Sequence, residues 1–287
     1  MKLSLGTAQF GSNYGIANFH GQISQEEAKV IINTAKLAGI KTLDTAVSYG
    51  SAEESLGKIG IEDFDCISKL PPLTKNIGNI KTWVKKQITE SINRLGISHL
   101  SGILLHHPDD ILSPRGNEYI DALLDAKNHG YIKKIGFSIY SPEILDDLTR
   151  VFWPDIIQAP YNVFDQRISV SGWLSRLVDK GTEIHARSIF LQGLLIMQSD
   201  KRPKYFQRWK KELAEWDELV SAKDISSMEY ALSYVIGDKN IDKVIVGVDN
   251  RSQLLELISA CDIKVKGKLD PILISDVDLI DPSRWNL

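Results

Sequence analysis

The chain has 287 residues, and its 34 lysines and arginines nearly balance 37 aspartates and glutamates, for a formal net charge of −3. So small a charge excess is not typical of nucleic-acid binding or of attachment to an anionic membrane. The two cysteines, Cys66 and Cys261, form no CxxC pair, which favours a reducing compartment over a disulfide framework. The first residues lack the apolar stretch of a signal peptide, and no segment reaches the roughly 20 apolar residues that span a bilayer. We therefore expect a soluble cytoplasmic protein, whose oligomeric state the composition leaves open.

Short apolar runs recur from one end of the chain to the other. They are continuous rather than alternating, which is typical of parallel strands covered on both faces. The runs predict eight strands, at residues 3–7, 40–44, 65–69, 102–106, 135–138, 155–159, 183–187 and 243–247.

Helical segments, with apolar residues three or four positions apart, separate these runs. The first follows the capping sequence SQEE at 24–27 and ends at Gly39, and another covers residues 80–95. Asn250 predicts the cap of the last clear helix. Between the seventh and eighth strands the chain has room for two helices.

Eight strand–helix units with short connections predict a closed parallel barrel, the (β/α)₈ or TIM barrel, as a single domain over residues 1–287. The chain has no GxGxxG between a strand and a helix, which disfavours a doubly wound dinucleotide-binding fold. A barrel rim would have to hold any nicotinamide cofactor.

Four polar side chains follow three consecutive predicted strands. Asp44 ends the second strand, Tyr49 lies in the loop after it, Lys69 ends the third strand and His106 ends the fourth. Because the active sites of such barrels lie at the carboxyl ends of the strands, we expect these side chains to converge.

This set suits proton transfer to a carbonyl oxygen. A free phenol is too weak an acid to protonate a substrate efficiently at neutral pH, and a neighbouring ammonium makes it stronger. Asp44 would hold Lys69 charged, and His106 would donate a hydrogen bond to the carbonyl. No side chain supplies a hydride, so reduction would require a cofactor.

Three segments together resemble the aldo/keto reductase family: DTAVSYG at 44–50, SK at 68–69 and LLHHPD at 104–109. The resemblance runs over most of the chain. It implies an enzyme that reduces an aldehyde or ketone with a nicotinamide cofactor, with Tyr49 as the general acid. The family's histidine precedes x-Pro-Asp, which favours His106 over His107.

The resemblance also extends to segments that contact the cofactor in this family. Backbone amides at the start of the helix after the eighth strand would receive the adenosine phosphate. The residues matched in this way are Ser138, Gln158, Arg187, Ser188, Gln192, Gly247, Gln253 and Glu256.

Three positions depart from the family pattern. Ile139 replaces the usual asparagine after Ser138, and Gln253 stands where an arginine often grips the 2′-phosphate. Arg187 replaces an aromatic that stacks on the nicotinamide. It could stack there itself, clamp a carboxylate or phosphate of the substrate, or form a salt bridge at the rim. The resemblance favours NADPH, with NADH or use of both as the alternative. The short loops and Arg187 at the edge of the mouth favour a polar or sugar-like carbonyl as the substrate.

Other interpretations stay open. A metal hydrolase would need ligands at several strand ends, whereas His20, His99 and His129 fall in loops or helix ends, and His185 is expected to be a buried barrel residue. We therefore expect no metal. The barrel could also be a nicotinamide-binding regulatory subunit with little or no turnover. A third possibility is an enzyme that uses a bound cofactor only within its cycle.

Overall fold

A computed structural model describes residues 1–18, 21–74, 76–263, 265 and 269–286. Eight parallel strands close into a barrel in chain order, because the first strand pairs with both the second and the eighth. The strands are β1 (Leu3–Gly6), β2 (Thr42–Asp44), β3 (Asp65–Leu70), β4 (Gly102–Leu105), β5 (Ile135–Ser138), β6 (Ile156–Pro160), β7 (Glu183–Arg187) and β8 (Lys243–Gly247). The predicted (β/α)₈ barrel is confirmed.

Helices connect the strands, and several begin where the sequence places a capping residue. Ser24, Asn79, Ser226 and Asn250 each accept a backbone N–H of the first turn. The α-helices are α1 (Ala8–Gly11), α2 (Gln25–Leu37), α3 (Ala52–Ile59), α4 (Ile80–Leu95), α5 (Gly116–Asn128), α6 (Leu145–Val151), α7 (Arg167–Val170), α8 (Trp173–Asp179), α9 (Lys210–Ser221), α10 (Ser227–Gly237), α11 (Arg251–Cys261) and α12 (Val277–Ile280). Short 3₁₀ turns cover Pro108–Leu112, Pro142–Ile144, Leu191–Ile196, Ser199–Lys201, Lys204–Trp209 and Pro282–Arg284.

The strands begin and end within two residues of their predicted positions. Ile40, the predicted start of the second strand, instead donates its amide to Ala35 O and closes the turn after α2. β4 ends at Leu105, so His106 is the first residue beyond the strand. Element ends depend on single hydrogen bonds, which an apolar pattern does not encode.

Among the described residues, two large apolar clusters stabilise the molecule, beside a small one of Ile67, Leu104 and Ile156. The larger packs the strands against the helices and includes the fully buried Leu5, Leu43 and Phe137. The second large cluster lies under the segment between β7 and β8, where the buried Trp216 donates to Leu195 O at 2.8 Å. This second cluster fixes a segment that forms part of the wall of the site described below. In the part of the chain that the structure describes, no helix is both long and apolar enough to cross a membrane.

The neighbouring strand β6 approaches β5 closely at Gly136, two residues before Ser138. A Cβ there would lie 2.1 Å from Ile156 O and 2.8 Å from Leu104 Cδ2. Gly136→Ala should therefore lower the free energy of unfolding by about 1–3 kcal/mol, as overpacking of a core does. Urea unfolding followed by far-UV circular dichroism measures the change.

Gly237→Ala is the matched control for this prediction. Gly237 ends α10, and a Cβ there would meet nothing within 4 Å. Alanine in a helix is more stable than glycine by about 0.5–1 kcal/mol, so this variant should gain stability. Equal stability of the two variants would contradict the close packing at Gly136.

Candidate active site

A cavity of about 1270 Å³ opens at the carboxyl ends of the strands and extends to the start of α11. It is larger than the usual pocket for a small ligand, about 300–1,000 Å³, so it has room for two ligands. Of the site residues predicted from the sequence, Lys69 does not line the cavity, because its side chain is fully buried. The others line the cavity: Asp44, Tyr49, His106, Ser138, Gln158, Arg187, Ser188, Gln192, Gly247, Gln253 and Glu256.

Lys69 and Asp44 form a buried ion pair at the ends of β3 and β2. Lys69 Nζ lies 2.7 Å from Asp44 Oδ2 and also donates to Thr45 O at 2.9 Å. Burial alone lowers the pKa of Lys69, but the Asp44 carboxylate and the Tyr49 hydroxyl outweigh it and raise this pKa above its ordinary value. The ammonium is therefore charged at neutral pH. A buried charge is costly unless it is paired and hydrogen-bonded, and this one is both.

Gln158 ties the ion pair to the opposite side of the barrel. Its Nε2 donates to Asp44 Oδ1 at 2.6 Å, and the hydroxyl of Ser138 donates to its Oε1 at 3.5 Å. Both oxygens of Asp44 thus have a hydrogen-bond donor, one from β3 and one from β6. The sequence matched Gln158 to a cofactor contact and gave no sign of this second role.

Tyr49 lies over the ion pair in the loop after β2. Lys69 Nζ is 4.9 Å from the centroid of its ring, and the ring meets the imidazole of His106 edge-on, with centroids 6.0 Å apart. Close backbone packing fixes the loop, because a Cβ at Gly11 would lie 1.7 Å from Tyr49 O. Gly50 follows with φ +56°, a conformation that favours glycine.

His106 shares the cavity wall with Tyr49. Burial, together with the charge of Lys69, lowers the pKa of His106 to about 4, so its imidazole is neutral at pH 7. The hydroxyl of Ser48 lies 3.2 Å from His106 Nδ1. If Ser48 donates this hydrogen bond, the imidazole proton resides on Nε2, which is then a hydrogen-bond donor.

Arg187, at the end of β7, is held by neutral groups. Its Nη2 donates to Ile139 O at 2.9 Å and its Nη1 to Ser188 Oγ at 3.2 Å. The guanidinium carbon lies 4.5 Å from the centroid of the Tyr140 ring. Within the described ranges of the chain no carboxylate pairs with it, although most other arginines have such a partner. One of the three roles expected for Arg187 was a salt bridge at the rim. Among the described residues this prediction is wrong.

The loop after β7 has an unusual backbone in the cavity wall. Ser188 and Gln192 are both left-handed, with φ +58° and +52°. Asn162 Nδ2 donates to Ser188 O at 3.0 Å and holds the first of these turns. Left-handed residues other than glycine are uncommon, and such strain clusters at binding and catalytic sites.

The far end of the cavity lies at the start of α11. Asn250 Oδ1 accepts the amide of Gln253 at 3.0 Å. Glu27, on α2, reaches across, and its Oε1 accepts the amide of Arg251 at 2.6 Å. Two of the amides expected to receive a phosphate are thus already bound to protein oxygens.

Several side chains at the cavity were missed by the sequence analysis. Gln9 lies against Gly247, where a Cβ would be 2.6 Å from Gln9 Nε2. Tyr14 and Tyr140 line the mouth, and burial raises the pKa of Tyr14. Tyr14 and Tyr140 lie in loops and Gln9 in the four-residue helix α1, so no strand or helix periodicity indicates them.

Three other histidines, His99, His129 and His185, do not line the cavity. His185 is buried on β7 with Nε2 2.8 Å from Glu183 Oε1, as predicted for a barrel residue. His99 and His129 bond to groups one and four positions away in sequence. His20 lies outside the described residues. Among the residues that the structure describes, no group of three or more His, Cys, Asp or Glu side chains could hold a metal ion.

Comparison with known sequences gives consistent matches. A model of the aldo/keto reductase family matches residues 2–269. The L-glyceraldehyde 3-phosphate reductase of Escherichia coli (strain K12) is 26% identical over 282 residues, which cover 85% of this chain and 81% of that protein. The L-galactose dehydrogenase of Arabidopsis thaliana is 24% identical over 296 residues, covering 97% of this chain and 91% of that protein.

Comparison with solved structures gives the same fold. An aldo-keto reductase of Bacillus halodurans in its holo form has a TM-score of 0.74 at 20% identity, covering 93% of this chain and 88% of that one. The glycerol dehydrogenase of Gluconobacter oxydans has a TM-score of 0.73 at 23% identity, covering 92% and 88%. At these identities the likeness shows the fold alone.

His106 should titrate far below an ordinary histidine. With a pKa of about 4, its imidazole NMR signals should stay in the neutral form from pH 8 to about pH 5. The unfolded chain gains this proton near pH ~6.5 and the folded chain does not. The contribution of His106 to the free energy of unfolding therefore falls as the pH drops from about 6.5 towards 4.

His106→Gln identifies the signal and should remove this part of the pH dependence of stability. Chemical denaturation at several pH values measures that second effect. A titration midpoint near pH ~6.5 in the folded protein would contradict the burial of this imidazole beside a charged lysine.

Proposed function

Since the chain belongs to the aldo/keto reductase family of NAD(P)-dependent oxidoreductases, we propose that it reduces the carbonyl of a small, polar or sugar-like aldehyde or ketone. The observation that carries this proposal is the Tyr49 phenol in the cavity wall, with the ammonium of Lys69 4.9 Å from its ring centroid. A phenol beside an ammonium is suited to general-acid catalysis. The relatives named for glyceraldehyde 3-phosphate and for galactose support a polar substrate.

In this proposal each residue at the mouth has one task. Tyr49 donates its proton to the carbonyl oxygen. Lys69 stabilises the phenolate that remains, and Asp44 keeps Lys69 charged and in place. His106, neutral at pH 7, donates a hydrogen bond that orients the carbonyl and stabilises the developing oxyanion.

The cavity suits an extended dinucleotide. When bound, a nicotinamide cofactor supplies the hydride that no side chain can provide. Ser138 and Gln158 offer a hydroxyl and an amide to its carboxamide, and Gln158 keeps a second amide N–H besides the one given to Asp44. Ser188 and Gln192 line the same cavity between this end and α11.

The charges at the start of α11 favour NADH, whereas the resemblance to aldo/keto reductases favours NADPH. Glu27 already accepts the amide of Arg251, and Glu256 lines the same end of the cavity. A 2′-phosphate there would meet carboxylates, whereas a 2′-hydroxyl could donate a hydrogen bond to one. Gln253 supplies no charge. Arg251 and Glu256 are both exposed, where solvent screens their charges, so the half-buried Glu27 has the stronger effect. We therefore propose that NADH binds at least as tightly as NADPH.

Tyr49→Phe should lower kcat by about 10²–10⁴-fold, the usual contribution of a general acid. The affinity for the cofactor should change little, because the hydroxyl acts on the substrate. Oxidation of NADH and NADPH with a panel of small polar aldehydes measures turnover, and fluorescence titration measures cofactor affinity.

Tyr14→Phe is the matched control, because it removes a phenol hydroxyl from the same cavity. It should lower kcat by less than about tenfold, since Tyr14 has no buried ammonium beside it. Wild-type turnover in Tyr49→Phe would overturn the proposed role. Tight cofactor binding by the wild type without turnover of any aldehyde would instead favour the regulatory subunit.

Gln253→Arg should increase the affinity for NADPH about tenfold, because one new arginine–phosphate contact is worth about 1.4 kcal/mol or more. The affinity for NADH should stay within about twofold, since NADH has no 2′-phosphate. Fluorescence titration of both cofactors into wild type and variant gives the four affinities. A wild type that binds NADPH much more tightly than NADH would contradict the proposed preference.

A further inference from the structure

Among the residues that the structure describes, Arg187 pairs with no carboxylate, whereas most other arginines do. Arg94, Arg167 and Arg202, also partly or largely buried, pair with Glu53, Asp165 and Asp217. The guanidinium of Arg187 instead binds a backbone carbonyl and a hydroxyl, and its buried Nε has no partner. A partly buried cation held only by neutral groups is costly unless an anion completes it.

The guanidinium shares the cavity mouth with the groups that handle the carbonyl. Burial raises the pKa of Tyr14 and lowers that of His106, and the charge of Arg187 makes a smaller contribution to both, in the lowering direction. Lys69 and Asp44 compensate each other, and His106 is neutral at pH 7. Among the described residues at the mouth, Arg187 therefore carries a positive charge that no carboxylate compensates, and a concave site of this kind concentrates anions.

The chemistry of the donors indicates which anion fits. A guanidinium has five N–H groups, of which Ile139 O and Ser188 Oγ each take one. One N–H remains on each terminal nitrogen. Free donors on both terminal nitrogens suit the paired oxygens of a phosphate or a carboxylate.

We propose that Arg187 binds the oxyanion, phosphate or carboxylate, of a short aldehyde whose carbonyl lies at Tyr49 and His106. The position of the carbonyl rests on the function proposed above. The anion subsite rests on Arg187 alone, so the two can fail separately. Arg187 then acts as a specificity residue, and the substrate is a short, charged aldehyde.

Matched substrate pairs test this subsite. Glyceraldehyde is compared with glyceraldehyde 3-phosphate. Butanal is compared with succinic semialdehyde, which has a carboxylate in place of the terminal methyl group. The wild type should prefer a charged member by kcat/KM, and the better pair shows which oxyanion is bound. Arg187→Met should reduce this preference at least tenfold, mainly through KM. Arg187→Lys should retain part of it, because the ammonium keeps the charge and loses the two-pronged geometry.

Binding without turnover gives an independent measurement. Glycerol 3-phosphate and succinate are titrated calorimetrically into the full-length protein saturated with NADH. Arg187→Met should weaken binding of the better ligand at least tenfold. If the wild type reduces no aldehyde but binds one of these anions through Arg187, the proposed function fails and the subsite stands.

Arg176→Met is the control for a general effect of charge. Arg176 is exposed, with its guanidinium carbon 3.7 Å from the centroid of the Trp173 ring, and it does not line the cavity. Its removal should leave the substrate preference unchanged. An unchanged preference in Arg187→Met would overturn the proposal. So would an equal loss for charged and neutral aldehydes with weaker NADH binding, which would place the guanidinium against the cofactor.

Discussion

The arrangement of the site depends on the buried ion pair between Lys69 and Asp44. Removing one partner of such a pair typically costs about 3–5 kcal/mol, because the other charge is left buried and unpaired. Its bonds join β3 to β2 through Asp44 and Thr45, and Gln158 extends the link to β6. The barrel thereby keeps a charged ammonium where solvent does not reach, and the Tyr49 ring lies directly over it. A lysine at the surface would be screened and would affect a phenol much less.

The strands were predictable because burial on both faces leaves a direct trace in the sequence. A parallel strand in a barrel is apolar at nearly every position, and eight such runs with helices between them allow few other folds. The side chains at the strand ends followed from the same argument together with the family resemblance. The exact ends did not, because they depend on individual hydrogen bonds: the amide of Ile40 closes the turn after α2 on Ala35 O, and His106 lies one residue beyond β4.

The contacts made by loops could not be predicted from the sequence. Ser48 beside His106, Tyr140 beside Arg187 and Glu27 on the first amide of α11 come together only once the barrel has closed. No periodicity connects Glu27 to Arg251, which are 224 positions apart. For Arg187 the sequence left three roles open, and the absence of a carboxylate partner among the described residues removes the structural one. What remains are two roles that both require a ligand.

The two ends of the cavity differ in charge, and under the proposed function this difference favours a different ligand at each end. The mouth has the uncompensated cation Arg187, whereas Glu27 and Glu256 lie at the start of α11. An anionic substrate is attracted to the first end and repelled by the second. A dinucleotide without a 2′-phosphate brings its neutral ribose to the acidic end and leaves Arg187 available. Under the proposed function, the charge distribution that disfavours a 2′-phosphate would also keep a small anionic aldehyde out of the cofactor's end of the cavity, so that one continuous cavity would hold both ligands in a defined order.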